Sequence, residues 1–498
     1  MLHAPPNSCV IIGAGPAGLT AAYELSRSGF ASTVLESTAV PGGLARTEHY
    51  KGYRFDIGGH RFFTKLRVVD EIWHEMLGTD FLSRPRLSRI LYNGRFFKYP
   101  LEPMDALSQL GLWEATACAA SFLRIRLFPI RPEKTLDAWV SNRFGRRLFD
   151  TFFRTYTEKV WGIPCSEIDA EWAAQRIRGL DAITLIKQML LPVPKDKGRM
   201  VKTLIDSFHY PRLGPGMMWE ECARRIVNLG GTLHYNSPVV QVEWEPERVV
   251  AIVTAAGARY EGSHFISTMA IQQFLQAFDP SPPEEVLRAG GRLRYRDFLT
   301  VALILRRANI FPDNWIYIHD PGVKVGRIQN FKNWSPEMVP SKETTCLGLE
   351  YFCSQGDELW NLDDAELVRL ASRELAQLGI AGDTEVVDGT VVRARQAYPV
   401  YDSDYQSCLA TIRGFLSTLG NLQLVGRNGM HHYNNQDHSM LTGLLAARNV
   451  LGETHDVWAV NSDFEYHESD EFQSDDHLDA LRSSQPKVPR KTGTRASQ

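Results

Sequence analysis

Residues 10–36 read VIIGAGPAGLTAAYELSRSGFASTVLE, and no other stretch restricts the fold so tightly. An apolar run, Cys9-Val10-Ile11-Ile12, turns through Gly13, Gly15 and Gly18 into a segment of helical periodicity. A second apolar run, Thr33-Val34-Leu35, then ends on Glu36. The pattern predicts a strand, a glycine turn, a helix and a parallel strand. Gly13 permits the tight turn, and Gly15 lets a pyrophosphate approach the backbone where Pro16 and Ala17 open the helix. Gly18 lets helix and strand pack closely. Glu36 falls where a carboxylate accepts ribose hydroxyls. The glycine motif alone also suits a βαβ unit that holds nothing; strand, helix, spacing and acid together point to a dinucleotide site.

A chain of 498 residues exceeds what one core supports, so two or three domains are expected. Its 44% apolar and 23% charged content is ordinary for a globular protein. A net charge of -3 provides no global basic field for nucleic acid, and no metal-ligand cluster is evident. The seven cysteines are dispersed without a C-x-x-C pair, which predicts buried, reduced thiols and a cytoplasmic setting. No charged region precedes an apolar stretch at the N-terminus, so the mature chain is expected to start near Met1. Residues 107–130 are rich in Leu, Ala and Phe, but Glu114, Arg124 and Arg126 interrupt them and Arg131 follows. A packed amphipathic helix is expected there, with contact to a membrane surface as the alternative.

The order of elements predicts an α/β fold: a discontinuous Rossmann-like domain, 1–98, 209–290 and 416–466, interrupted by a helical insertion, 99–208. An antiparallel-sheet substrate domain, 291–415, and a disordered tail, 467–498, complete it. A helix is expected near 70–77 and a hairpin over 90–97, turned at Asn93-Gly94. Strands at 232–235, 238–244 and 265–268 are expected to rejoin the first domain. Strands at 300–305, 315–318, 345–352 and 385–392, with a helix at 364–378, make the substrate domain. A strand at 422–426 and a helix at 439–450 end the fold.

Further motifs narrow the dinucleotide. Pro41-Gly42-Gly43-Leu44-Ala45-Arg46 and Phe55-Asp56-Ile57-Gly58-Gly59-His60 resemble the continuation of the first unit in the amine oxidase and protoporphyrinogen oxidase superfamily. That resemblance implies FAD and not NAD. Within the superfamily, an ordered set of short motifs from about residue 8 to 452 resembles the eukaryotic-type UDP-galactopyranose mutases. It includes Tyr99-Pro100, Lys159-Val160-Trp161, Trp172 four residues before Arg176, and Ser267-Thr268-Met269-Ala270. Tyr317 ten residues before Arg327, Asn333-Trp334-Ser335-Pro336, Tyr398-Pro399, Gly426-Arg427 and Asn435-Gln436-Asp437-His438-Ser439 follow.

In that family reduced flavin acts as a nucleophile toward the sugar's anomeric carbon, and a pyranose becomes a furanose with no net redox change. The resemblance therefore implies a nucleotide-sugar substrate, reduced FAD, and NAD(P)H as a candidate reductant. It assigns the diphosphate to Arg176 and Arg327, whose planar forks match phosphate oxygens. Tyr99, Tyr317, Tyr398 and Tyr433 fall at substrate-binding positions, and His60 falls beside the isoalloxazine. Gly13, Gly15, Pro16, Ala17, Gly18, Glu36, Gly43, Leu44, Arg46, Gly59, Gly426, Arg427, Asn435, Gln436, Asp437 and Ser439 fall to the cofactor. Taken singly, Arg176 also reads as a solvated helix residue, the tyrosines as strand aromatics, and His60 as a packed core histidine. The run 434–439 also suits an ordinary helix N-cap.

Three departures concern the substrate: Glu102 stands where the family has a glutamine near the uracil, Glu158 replaces an apolar residue, and His431 and His432 occupy a shortened loop. The alternative activity is a redox enzyme on the same scaffold, taking hydride from an amine, a porphyrinogen or an isoprenoid chain. A third reading is a flavin-binding partner without catalysis.

Overall fold

The computed structural model describes residues 7–99, 101, 103–168, 170, 207–402 and 404–461. Arg176, Trp172, Pro100, Glu102, part of the expected helical insertion (171–206) and the tail 467–498 lie outside them.

Five short strands form a parallel sheet in the order Leu422–Leu424, His264–Ser267, Ser8–Ile12, Ala31–Leu35 and Thr232–His234. Its strands are apolar runs because both faces are covered. Cys9, Ile11 and Val34 share a core with the helices Pro16–Arg27, Arg67–Leu77, Gly216–Asn228 and Gln436–Val450. Val10, Ile12 and Leu35, pointing the other way, share one with the helices Glu284–Arg292 and Tyr405–Leu416 and with a second, four-stranded sheet. That second sheet contains Val239–Glu245, a strand expected to rejoin the first domain. Glu247, at a φ of 72°, turns the chain back, so that this strand pairs antiparallel with Arg248–Thr254 and shares the core beneath the parallel sheet.

The third sheet has seven strands, ordered Val386–Val400, Arg294–Leu305, Thr345–Cys353, Arg327–Asn330, Trp315–Ile318, Ser88–Tyr92 and Arg95–Lys98. Two expectations are corrected here. The hairpin at 88–98 turns at Asn93-Gly94 as read, both at positive φ, yet it extends this sheet and not the dinucleotide domain. Since Ser88–Tyr92 pairs parallel with Trp315–Ile318, the sheet is mixed, not purely antiparallel. The hairpin's turn is a local signal, whereas its partner lies more than 220 residues away in sequence.

Alternation sorts the two faces of this sheet. Leu299, Val301, Leu303, Leu347, Leu349 and Ile328 pack beneath the helix Asp364–Gln377, whose N-terminus is held by a capping box between Asp363 and Glu366. The opposite register, Phe298, Thr300, Glu350, Arg327, Gln329 and Tyr317, forms the face toward Gly58 and Gly59.

In the helical segment, Gly111 at a φ of +86° divides the expected helix into Pro103–Leu110 and Leu112–Leu127. One side of the second helix does not pack as expected, with Leu112 89% and Trp113 84% exposed. Among the described residues no helix is long and apolar enough to cross a membrane.

Candidate active site

The glycine loop has the geometry its sequence predicts. Gly13 has a φ of +97°, and a Cβ there would stand 2.1 Å from Thr268 Oγ1; one on Gly18 would stand 2.0 Å from the Gly13 carbonyl. Gly15 faces the second glycine pair, with 3.2 Å between a Cβ built on Gly43 and the Gly15 Cα. The first N–H groups of the Pro16–Arg27 helix have no intrahelical partner and open beside this gap. The Glu36 carboxylate is buried, accepting from the Ala14 N–H at 2.7 Å and from the Thr38 N–H and hydroxyl at 2.8 Å. It thus braces the glycine turn while keeping lone pairs for a further donor.

Arg46 donates to the Gly43 carbonyl and to Glu48, and Leu44 packs against Ile57 and Phe298. The first and last helices complete the cradle: Gly426, at a φ of +79°, donates to Thr442 Oγ1, and a Cβ on it would lie 3.1 Å from the Ala17 Cβ. Asn435 is an exposed N-cap that makes no side-chain capping bond, so the side-chain capping expected of this segment is not formed. Asp437 and Ser439 are buried in the first turn, and the Gln436 Oε1 is buried without a partner among the described residues. An extended, phosphate-bearing dinucleotide fits this donor set. Glycine stands wherever a Cβ would narrow the groove, a helix N-terminus faces it, an acid lies at the ribose end, and an amide oxygen awaits a donor.

On the facing sheet, Thr300, Glu350, Arg327 and Tyr317 stand directly opposite one another on four successive strands, forming a polar row. Arg327 Nε donates to Glu350 Oε2 at 2.5 Å, and Gln329 Nε2 donates to Glu350 Oε1 at 2.7 Å. Burial pushes the Glu350 carboxyl up, against the opposing pull of Arg327 and Gln329. This row meets the Gly58-Gly59 loop closely: a Cβ on Gly58 would lie 3.9 Å from Arg327 Nη2, and one on Gly59 would lie 2.8 Å from Gln329 Nε2. His60 follows, its Nδ1 buried without a partner among the described residues. Burial, then the fields of Arg427 and Arg327, lower its pKa to about 3, so it is neutral near pH 7.

Aromatic rings wall the cleft. Tyr99, at the rim, lies 4.6 Å from the Tyr317 ring; Tyr156 meets Tyr317 edge-on at 5.5 Å and stacks on His319 at 5.0 Å. Tyr398 and Tyr433 stack at 5.8 Å with 15° between their planes. The Arg427 guanidinium lies over both rings while donating to the Asn434 and Ala397 carbonyls. The structure thus gathers His60, Tyr317, Arg327, Tyr398, Arg427 and Tyr433, while Arg176 lies outside the described residues.

Glu158 has a local task, its carboxylate accepting the Cys165 N–H. Lys159 donates to the Ile318, Asp320 and Val325 carbonyls, which fastens its helix to the turn beyond Ile318. His431 sits in the core, its ring 4.8 Å from Tyr295. Sequence reasoning missed Tyr156, Gln329 and Glu350. Only Glu350 carried a signal, as a single acid in the apolar run Thr345–Cys353, where a buried charge demands a partner.

The profile of flavin-containing amine oxidoreductases matches residues 16–451, most of the chain. The chain belongs to this family. As a member of the flavin-containing amine oxidoreductases it is an FAD-dependent enzyme, in keeping with the cradle above. It is 46% identical over 114 residues to the L-amino acid oxidase Cdc18 of Crotalus durissus cumanensis, a match covering 20% of this chain and 23% of that protein. An L-amino-acid oxidase of Sistrurus catenatus edwardsii is 30% identical over 124 residues, 21% of this chain and 23% of the relative. The chain thus spans less than a quarter of the length of the curated relatives it matches. Among solved structures, reduced UDP-galactopyranose mutase superposes with a TM-score of 0.79 at 20% identity, covering 92% of this chain and 98% of the other. Putrescine oxidase bound to putrescine superposes with a TM-score of 0.59 at 15% identity, covering 90% and 99%. At such identities the likeness is one of fold.

Proposed function

We propose that this flavoenzyme is a nucleotide-sugar mutase that interconverts the pyranose and furanose forms of its substrate. The observation that carries the reading is the polar row, which sets the Arg327 guanidinium against the Gly58-Gly59 loop with Tyr317 directly opposite Arg327 on the next strand. Reduced FAD held in this cradle would supply a nucleophilic N5, the chemistry by which a sugar–phosphate bond could break and re-form with no net oxidation. In this reading Arg327, with Arg176, holds the diphosphate through departure and return, and Tyr99, Tyr317, Tyr398 and Tyr433 orient it. Gly13, Gly15, Pro16, Ala17, Gly18, Glu36, Gly43, Leu44, Arg46, Gly59, Gly426, Arg427, Asn435, Gln436, Asp437 and Ser439 hold the cofactor. In this reading neutral His60 would face the isoalloxazine, where its buried Nδ1 could donate or accept a hydrogen bond without adding charge.

The oxidase relatives favour a second reading, hydride removal from an amine, although their sequence match is confined to about a fifth of the chain. Seven buried cysteines, all unpaired, suit a cytoplasmic enzyme. The reading is tested by titrating the flavin-loaded protein with UDP and with a panel of free amines and amino acids. Saturable binding of UDP without response to the amines supports the mutase, and the reverse pattern overturns it.

A further inference from the structure

We infer that Glu350 is the positioning and specificity residue of this site: it fixes the direction of the Arg327 fork and sets how strongly the site holds a diphosphate. This rests on the reading of Arg327 as a diphosphate ligand. Three observations carry it. Glu350 takes its bond from Nε alone, which leaves the paired Nη groups, the edge that matches phosphate oxygens, free to face the cleft, with Nη2 nearest Gly58. The carboxylate is held at both oxygens, since Gln329 Nε2 donates to the second, and Thr300 stands directly opposite it on the neighbouring strand. The pair is also unequal in exposure: Glu350 is 0% exposed and the Arg327 side chain 18%, so the cation looks into the cleft and the anion lies behind it.

As a purely structural device such a pair is a poor choice, since apolar residues of like volume serve a core at least as well. As part of a binding site it has a purpose. A lone buried guanidinium binds a diphosphate tightly in substrate and product alike, and such uniform binding does not speed turnover. A fixed negative charge one residue behind the guanidinium weakens that grip without disturbing its aim. The two roles separate by substitution. Glu350→Gln keeps an oxygen to accept from Nε but removes the charge; Glu350→Ala removes both.

The test titrates the flavin-loaded wild type and both variants with UDP and, separately, with inorganic pyrophosphate, at several salt concentrations. The expected result is opposite in sign: Glu350→Gln binds on the order of tenfold tighter, with a steeper salt dependence, and Glu350→Ala binds more weakly than wild type. Variants that shift affinity in the same direction by like amounts, or not at all, overturn the inference. If Glu350→Ala does not fold with flavin, the tightening and salt slope of Glu350→Gln decide alone. A wild type that binds pyrophosphate but not UDP defeats the nucleotide reading while leaving Glu350 to be judged on pyrophosphate. A wild type that binds neither defeats both.

Discussion

Gly443, in the last helix, faces Ala17, in the first, so closely that a Cβ on Gly443 would stand 2.1 Å from the Ala17 carbonyl oxygen. Two helices separated by more than 400 residues of chain are thus locked backbone to backbone over the core side of the parallel sheet, and the first of them opens at the pyrophosphate. In an ordinary helix Gly→Ala stabilises by up to about 1 kcal/mol. Here Gly443→Ala is expected to destabilise by about 1 to 3 kcal/mol, because the helices must part. It should also lower flavin content. Thermal melts and the flavin-to-protein absorbance ratio check both.

Gly15 and Gly43 face each other across the cradle. A Val side chain at position 15 would fill the space that separates it from the Gly43 Cα, 3.9 Å from where its Cβ would lie. Gly15→Val is expected to purify without the flavin spectrum while remaining folded by far-ultraviolet circular dichroism. Full flavin retention would remove this loop from the cofactor site.

The parts of the fold legible in the sequence were those with local causes. The glycine turn, the Asn93-Gly94 hairpin turn and the capped helix beginning at Asp364 each follow from a few adjacent residues. Partner choice was not local. The Ser88–Lys98 hairpin formed as read but joined a sheet other than the one expected, because the edge it pairs with lies more than 220 residues away in sequence. The same divide runs through the site. Tyr317 and Arg327 came from a motif, but the row that links them to Glu350 and Thr300 exists only in the register of strands.

Arg327→Ala removes the fork and leaves Glu350 buried without its cation. UDP affinity is expected to fall by on the order of 2 to 5 kcal/mol, while flavin content changes little. Calorimetric titration beside absorbance measures the two together. Equal loss of FAD and UDP would make Arg327 a structural residue.

Two buried groups give stability opposite dependences on pH. His60, with a pKa of about 3, refuses a proton that the unfolded chain takes up near 6.5, so its contribution is lost as pH falls from about 6.5 toward 3. Asp56 is held by Tyr210 and Thr47, but burial raises its pKa to about 7. It keeps a proton that the unfolded chain gives up near 4, so its contribution is lost as pH rises from about 4 toward 7. His60→Asn should flatten the acid limb of the urea midpoint against pH, and Asp56→Asn should flatten the rise-driven loss. A variant that leaves its limb unchanged would contradict the assignment.

The central claim is that the reaction isomerises a nucleotide sugar and leaves it at the same oxidation level. The most direct measurement incubates the enzyme anaerobically, once with its flavin oxidised and once reduced by dithionite, with a panel of UDP-sugars and other nucleotide sugars, followed by chromatography and mass spectrometry. The account predicts a new product of unchanged mass, formed over many turnovers by the reduced enzyme and absent with the oxidised one. No isomer from any sugar, together with stoichiometric bleaching of the oxidised flavin by an amine, a porphyrinogen or a polyprenyl compound, would contradict it.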